Sequence, residues 1–249
     1  MSGGQDIALV TGGGSGLGEA IARALHGAGY RVAVTDIDGG KAQAVALALD
    51  PVGETAIGLT LDVTDATAIE CATARVETRW GDVQVLVNNA VLTRAMPVLD
   101  IALEDWDQVM AVNARGTFAA SQILARRMKA AGYGRIVNMA SLAGQNGGTA
   151  TGAHYAASKG AIITLTKVFA RDLAPFGITV NAIAPGPIDS PMVRALVPED
   201  KMPGMVAGIP VGHLGNPAFI ADMVVRLAAR DAGFVSGATW DVNGGLFMR

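Results

Sequence analysis

Between an apolar run beginning at Ile7 and an alanine-rich run beginning near Glu19, the chain reads TGGGSGLG, with five glycines in the seven positions from Gly12 to Gly18. Ordering glycine inside a helix or strand costs roughly 0.5–1 kcal/mol relative to alanine. Such a concentration therefore marks a place where bare backbone is required, and it constrains the fold more than any other stretch of the chain.

The surroundings give that place an address. Apolar runs of strand length recur as IALVT from Ile7, RVAVTD from Arg31, AIGLTLDV from Ala56, VQVLVNN from Val83, GRIVNMAS from Gly134, ITVNAIAP from Ile178 and ATWDV from Ala238. Longer alanine-rich segments with helical spacing lie between them, at 18–28, 65–80, 103–131, 152–173 and 217–229. Strands without in/out alternation, separated by helices, predict a parallel sheet covered on both faces, a doubly wound α/β fold. Ligands of such a sheet lie beyond the carboxyl ends of its strands, where the strand order reverses.

The glycine run follows the first strand and opens the first helix. Unpaired N–H groups and the positive end of the helix dipole favour an anion there, and glycine lets a pyrophosphate approach the backbone. Asp36 stands twenty positions after Gly16, at the end of the second strand. A carboxylate at that point accepts hydrogen bonds from both hydroxyls of an adenosine ribose and repels a 2′-phosphate, which predicts NAD rather than NADP.

Composition sets further bounds. No composition shift, proline-rich linker or charge run divides the 249 residues, so one domain is expected. A formal net charge of −3 with no basic block argues against nucleic acid or a membrane surface as partner. One cysteine and three histidines contain no zinc-ligand spacing, so no metal is expected, and Cys71 reads as a small core side chain. The opening MSGGQDIALV has no signal-peptide pattern and no apolar run could span a bilayer, which points to the cytoplasm.

A second feature carries chemistry. HYAASKG places Tyr155 and Lys159 four apart, on one face of a helix one turn from each other. A free tyrosine titrates near 10, and a neighbouring ammonium is expected to lower that value and make the phenol a usable proton donor.

Taken together, TGGGSGLG at 11–18, LDV at 61–63, NNA at 88–90, Asn113, Ser141 after a strand, Tyr155 with Lys159, and NAIAPGPIDS at 181–190 resemble the short-chain dehydrogenases/reductases over nearly the whole chain. The resemblance implies a Rossmann-type domain of about seven strands with helices on both faces. It also implies a catalytic tetrad of Asn113, Ser141, Tyr155 and Lys159. Tyr155 would exchange the proton with the substrate oxygen, Ser141 would hydrogen-bond that oxygen, Lys159 would also bind the nicotinamide ribose, and Asn113 would hold a water relaying protons past Lys159. For NAD it implies contacts from Gly12, Ser15, Gly16, Leu17, Gly18 and Asp36. Asp62 and Val63 would flank the adenine and Asn89 and Ala90 the riboses. Pro185, Gly186, Ile188 and Ser190 would surround the carboxamide.

Three positions depart from the family pattern. Val91 follows NNA where glycine is usual, and a β-branched residue there resists positive φ and adds bulk near the cofactor. Ser190 replaces the usual threonine and keeps the hydroxyl. Ser141 and Tyr155 lie 14 positions apart, so the loop LAGQNGGTATGAH carries one residue more than is common.

A methionine-rich segment at 187–214, with Met192, Val193, Leu196, Met202, Met205 and Ile209, suits an apolar substrate lid. The expected substrate is a secondary alcohol or ketone with an apolar aryl or alkyl side. The alternative is a 3-oxoacyl thioester reductase or 3-hydroxyacyl-CoA dehydrogenase. Asp36 argues mildly against a biosynthetic reductase, which usually draws on NADPH. A non-catalytic cofactor sensor is the third reading, and the complete tetrad argues against it. The resemblance further implies a homotetramer joined through 103–131, 152–173 and the strand near Trp240, with Leu246, Phe247 and Met248 lacking an evident local core.

Overall fold

The computed structural model describes residues 5–148 and 151–248. Seven strands, β1 (Ile7–Thr11), β2 (Arg31–Asp36), β3 (Ala56–Thr60), β4 (Val85–Asn88), β5 (Gly134–Met139), β6 (Ile178–Pro185) and β7 (Thr239–Val242), form one parallel sheet in the order β3-β2-β1-β4-β5-β6-β7. Among the described residues ten α-helices accompany them: α1 (Gly16–Gly27), α2 (Gly39–Leu49), α3 (Ala66–Trp80), α4 (Leu103–Met110), α5 (Gly116–Ala131), α6 (Ala143–Asn146), α7 (Ala153–Leu173), α8 (Pro191–Leu196), α9 (Met202–Ala207) and α10 (Pro217–Ala228). The chain order reverses between β1 and β4, so the crevice expected of a doubly wound sheet opens there.

Both faces of the sheet are sealed. Ala8, Val10 and Val34 face a layer with Ile21 and Leu25 of α1 and Ile220 and Val224 of α10. Ile7, Leu9 and Ala33 face the opposite layer with Ile69 and Val76 of α3 and Ile123, Leu124 and Met128 of α5. Fully burying a Leu, Ile or Met side chain contributes roughly 1.5–3 kcal/mol. The central strands β1, β4, β5 and β6 are buried at every position, whereas the edge strands β3 and β7 are partly exposed.

Several expectations need correction. Cys71 is exposed, because the inward stripe of α3 runs through Ile69, Ala72, Thr73 and Val76, and two residues after Ile69 the helix has turned away from the sheet. The segment 103–131 is continuous but not uniformly α-helical, since a π-helical turn at Ala111–Arg115 joins α4 to α5. Helix α2 is not singled out by apolar spacing. It is capped by Asp38, whose side chain accepts from the Lys41 N–H. At the other end, Leu246 and Phe247 are half-buried, with Asn243 Nδ2 donating to the Phe247 carbonyl at 3.0 Å, while Met248 is exposed. The additional residue between Ser141 and Tyr155 falls in a loop whose residues 149 and 150 lie outside those described.

Candidate active site

At the carboxyl ends of β1 to β6 lies a cleft of about 530 Å³. Its first wall is the glycine turn. Gly12 has φ +62°, a conformation that disfavours any side chain, and a Cβ there would stand 2.7 Å from the Ala90 Cα. At Gly18 a Cβ would collide with the Gly12 carbonyl oxygen, so the first turn of α1 packs directly on the loop. Ser15 is the N-cap of α1, yet its side chain makes no capping bond. The hydroxyl and the first-turn N–H groups thus remain available to an anion.

Asp36 closes the end of the cleft beside β2. Its Oδ2 accepts from the Gly14 N–H and its Oδ1 from the Asp38 N–H, each at 3.0 Å, which fixes the carboxylate over the glycine turn. Among the described residues lining the cleft, Lys159 at the opposite end is the sole cation, and the residue after Asp36 is the exposed Ile37. Asp62 Oδ1 accepts from the N–H and hydroxyl of Thr64 at 2.8 and 2.7 Å. Asn89 Nδ2 donates to the Thr11 and Gly12 carbonyls at 3.2 and 2.9 Å, tying the end of β4 to the glycine turn.

The other end holds the titratable groups. Lys159, 3% exposed, donates from Nζ to the Met139 carbonyl at 2.6 Å and stands 5.7 Å from the Tyr155 ring centroid. Burial lowers its pKa from 10.5 to about 7. Burial likewise raises the Tyr155 phenol above its ordinary value, offset in part by the Ser141 hydroxyl beside it. The expected lowering of the phenol by its lysine neighbour is thus corrected: in this dry end of the cleft, loss of solvent raises the phenol, and the influence that opposes it is the Ser141 hydroxyl. Ser141 Oγ accepts from the Ala143 N–H at 3.1 Å, which leaves its own O–H free to donate.

Asn113 sits apart from the cleft. It is fully buried in the π-helical turn, where Oδ1 accepts from the Leu92 N–H at 2.7 Å and Nδ2 donates to the Leu92 carbonyl and to Ser158 Oγ, each at 2.9 Å. Both amide hydrogens are committed, so the side chain clamps the loop after β4 to helix α7, while Oδ1 retains a second lone pair to which a water can donate.

All the residues expected around the dinucleotide line this one cleft: Gly12, Ser15, Gly16, Leu17, Gly18, Asp36, Asp62, Val63, Asn89, Ala90, Tyr155, Lys159, Pro185, Gly186, Ile188 and Ser190. Ser190 also caps α8, accepting from the Val193 N–H at 3.3 Å. The departure at Val91 is accommodated, because every described residue with positive φ is a glycine. Its side chain joins Leu92, Val112, Met192 and Val193 in the apolar lining. Those neighbours of Val91 were not singled out as lining by sequence, except Met192 and Val193, since aliphatic side chains at strand ends carry no chemical signature.

Comparisons with known proteins agree with this geometry. A family model described as enoyl-(acyl carrier protein) reductase matches residues 12–247. The 3-oxoacyl-(acyl-carrier-protein) reductase FabG of Escherichia coli K12 is 39% identical over 244 residues, covering 97% of each chain. A (3R)-3-hydroxyacyl-CoA dehydrogenase of Rattus norvegicus is 38% identical over 252 residues, covering 97% of this chain and 96% of its own. A crystal structure of a short-chain type dehydrogenase/reductase from Mycobacterium marinum superposes with a TM-score of 0.93 at 30% identity, over 99% of this chain and 97% of that one. With its glycine turn, its reversal of strand order and its Ser141–Tyr155–Lys159 cluster in one cleft, the chain belongs to the short-chain dehydrogenase/reductase family, whose members are nicotinamide-dependent oxidoreductases.

Proposed function

We propose that this protein interconverts 3-oxoacyl and 3-hydroxyacyl thioesters with NAD(H). The observation that carries the cofactor preference is Asp36, oriented by two backbone N–H groups at the adenosine end, where among the described residues no cation lines the cleft and the neighbouring Lys41 is paired with Asp38 at 3.4 Å. The substrate class draws its support from the reductase and dehydrogenase relatives, which favour the thioester over the aryl or alkyl ketone expected from the apolar lid.

The bound nicotinamide supplies or accepts the hydride. The chain handles the proton and the oxygen. Tyr155 donates its hydroxyl proton to the carbonyl oxygen as the C–O bond becomes single, and recovers it from the alcohol in the reverse direction. Ser141, whose Oγ is already engaged by the Ala143 N–H, donates its O–H to the same oxygen. Lys159, anchored to the Met139 carbonyl, keeps its remaining hydrogens for the ribose hydroxyls of the cofactor. Asp62, Val63, Asn89 and Ala90 line the adenosine half, while Pro185, Gly186, Ile188 and Ser190 line the nicotinamide half. Asn113 holds the frame with its amide and offers the remaining lone pair of Oδ1 to the water that relays protons past Lys159. Residues 187–214 serve as the lid, with Met192 and Val193 at the cleft and Val197 and Ile209 buried beneath.

Acetoacetyl-CoA and acetophenone, each tested with NADH and NADPH, separate the readings. The expected result is a higher kcat/KM for the thioester, and for NADH. Turnover of the aryl ketone alone would return the reading to a simple alcohol dehydrogenase, which the wall of Val91, Leu92, Val112 and Met192 favours. The protein is further proposed to be a cytoplasmic homotetramer. Leu103, Trp106, Phe118 and Val168, all on helices α4, α5 and α7, expose apolar surface suited to such contacts. Sedimentation as a monomer at micromolar concentration would contradict this.

A further inference from the structure

Tyr155 is held at both of its own peptide groups by side chains. Its carbonyl accepts from Ser158 Oγ at 2.7 Å, and that hydroxyl is in turn held by Asn113 Nδ2. Its N–H, in the first turn of α7, is shared between the Gly152 carbonyl at 3.1 Å and the ring Nδ1 of His154 at 2.9 Å. The second grip is unusual in what it demands. An Nδ1 that accepts a hydrogen bond carries no proton, so the imidazole is neutral with its hydrogen on Nε2. That Nε2 is buried with no partner among the described residues, and a buried donor left unpaired is destabilising. The ring, fully buried, is therefore poorly explained as a stabilising core residue.

Its neighbour is shaped for it. A Cβ on Gly152 would collide with His154 Cε1, stand 2.7 Å from Nδ1 and lie 3.1 Å from the Arg94 carbonyl oxygen. Gly152 has φ −73° and ψ 161°, a backbone that any residue adopts. What the site requires of position 152 is thus empty space beside the imidazole and not conformational freedom. Gly152 also donates its N–H to the Arg94 carbonyl at 3.1 Å, and Arg94 is ion-paired with Asp105 and donates to Gln108 Oε1. The imidazole is consequently packed between the start of α7 and a loop anchored to α4.

We propose that His154 is a positioning residue that aims the Tyr155 hydroxyl by fixing its backbone amide, with Gly152 providing the space in which the ring folds back. The inference rests on Tyr155 being the proton donor. Within the cleft, Tyr155 is the residue touched by Ser141, whereas His154 does not line the cleft and acts only through its neighbour.

The test compares His154→Leu, His154→Asn and Gly152→Ala in the full-length protein, measuring kcat and KM for acetoacetyl-CoA, the dissociation constant for NADH and the melting temperature. Asparagine carries Oδ1 on Cγ as histidine carries Nδ1, so it keeps the acceptor and loses only the far side of the ring. His154→Leu and Gly152→Ala are expected to lower kcat by on the order of 10- to 100-fold, the scale of a misplacement of about 1 Å. NADH binding should change by less than about threefold, and His154→Asn should recover kcat to within about threefold of the parent. A His154→Leu protein of parental kcat, or a His154→Asn protein as impaired as His154→Leu, overturns the proposal. Should His154→Leu not fold, Gly152→Ala decides alone, and parental kcat in it has the same meaning. Tyr155→Phe is run alongside, since parental activity in that variant removes the acid–base reading itself, whatever His154 does.

Discussion

Lys159 is a residue whose burial the fold sustains at a cost in stability, and the cost can be measured. Its pKa falls from 10.5 to about 7 on burial, a shift of about 3.5 pH units, which at 1.36 kcal/mol per unit is on the order of 5 kcal/mol. The sign follows from proton binding. Below pH 7 the lysine is charged in both folded and unfolded states and the folded state bears the full desolvation cost. Between pH 7 and 10.5 the unfolded chain holds the proton and the folded one does not, so the cost declines as pH rises, and above 10.5 it is gone. Replacing Lys159 by methionine removes that cost and leaves the Met139 carbonyl without its 2.6 Å partner, a loss of about 1–3 kcal/mol. Urea unfolding of the cofactor-free protein should therefore find Lys159→Met about 3 kcal/mol more stable than the parent at pH 6, and of equal or lower stability at pH 10. Other titrating groups cancel in the difference between the two proteins. A stability difference that is the same at both pH values would refute the argument, because it would mean that Lys159 keeps its solution pKa inside the cleft.

Three other perturbations address the site. Tyr155→Phe should lower kcat by several orders of magnitude and leave NADH affinity within about threefold; activity within tenfold of the parent would exclude Tyr155 as the proton donor. Asp36→Asn keeps an acceptor for the Gly14 N–H and removes the charge. At about 4 Å and an effective dielectric of 20–40, one pair of unit charges is worth about 2–4 kcal/mol, so the NADH-over-NADPH ratio of kcat/KM should fall by roughly 30- to 1000-fold, and an unchanged ratio would sink the role assigned to Asp36. Ser141→Ala removes the hydrogen bond that partly offsets the raised phenol. The pH profile of alcohol oxidation, which requires Tyr155 to accept a proton, should move its rising limb to higher pH, and a shift the other way would count against the pairing.

How far the chain could be read in advance differed between its parts for physical reasons. The strand starting points at Ile7, Arg31, Gly134 and Ile178 match the structure to the residue, because fully buried parallel strands are uninterrupted apolar runs. Cys71 misled because its burial depends on which way α3 faces the sheet, and a lone small residue does not reveal that. The break in regular α-helix at Asn113 was hidden for a similar reason. The π-helical turn answers to the Leu92 peptide group and to Ser158, 21 and 45 residues away in sequence. His154 left no trace at all, since its significance lies in an unpaired nitrogen and in the space beside Gly152.

Local chemistry, then, was set along the chain itself. Glycines where a phosphate must approach, an acid at the end of the second strand, and a tyrosine one helical turn from a lysine are all demands that a few neighbouring residues meet. Proton affinities were decided only on folding. The phenol moves opposite to what its spacing from Lys159 implies and the ammonium falls too, because solvent exclusion is a property of everything packed around them. The same holds for Asn113, whose amide is spent on distant partners: sequence names the groups, and the three-dimensional arrangement determines what each has left to give.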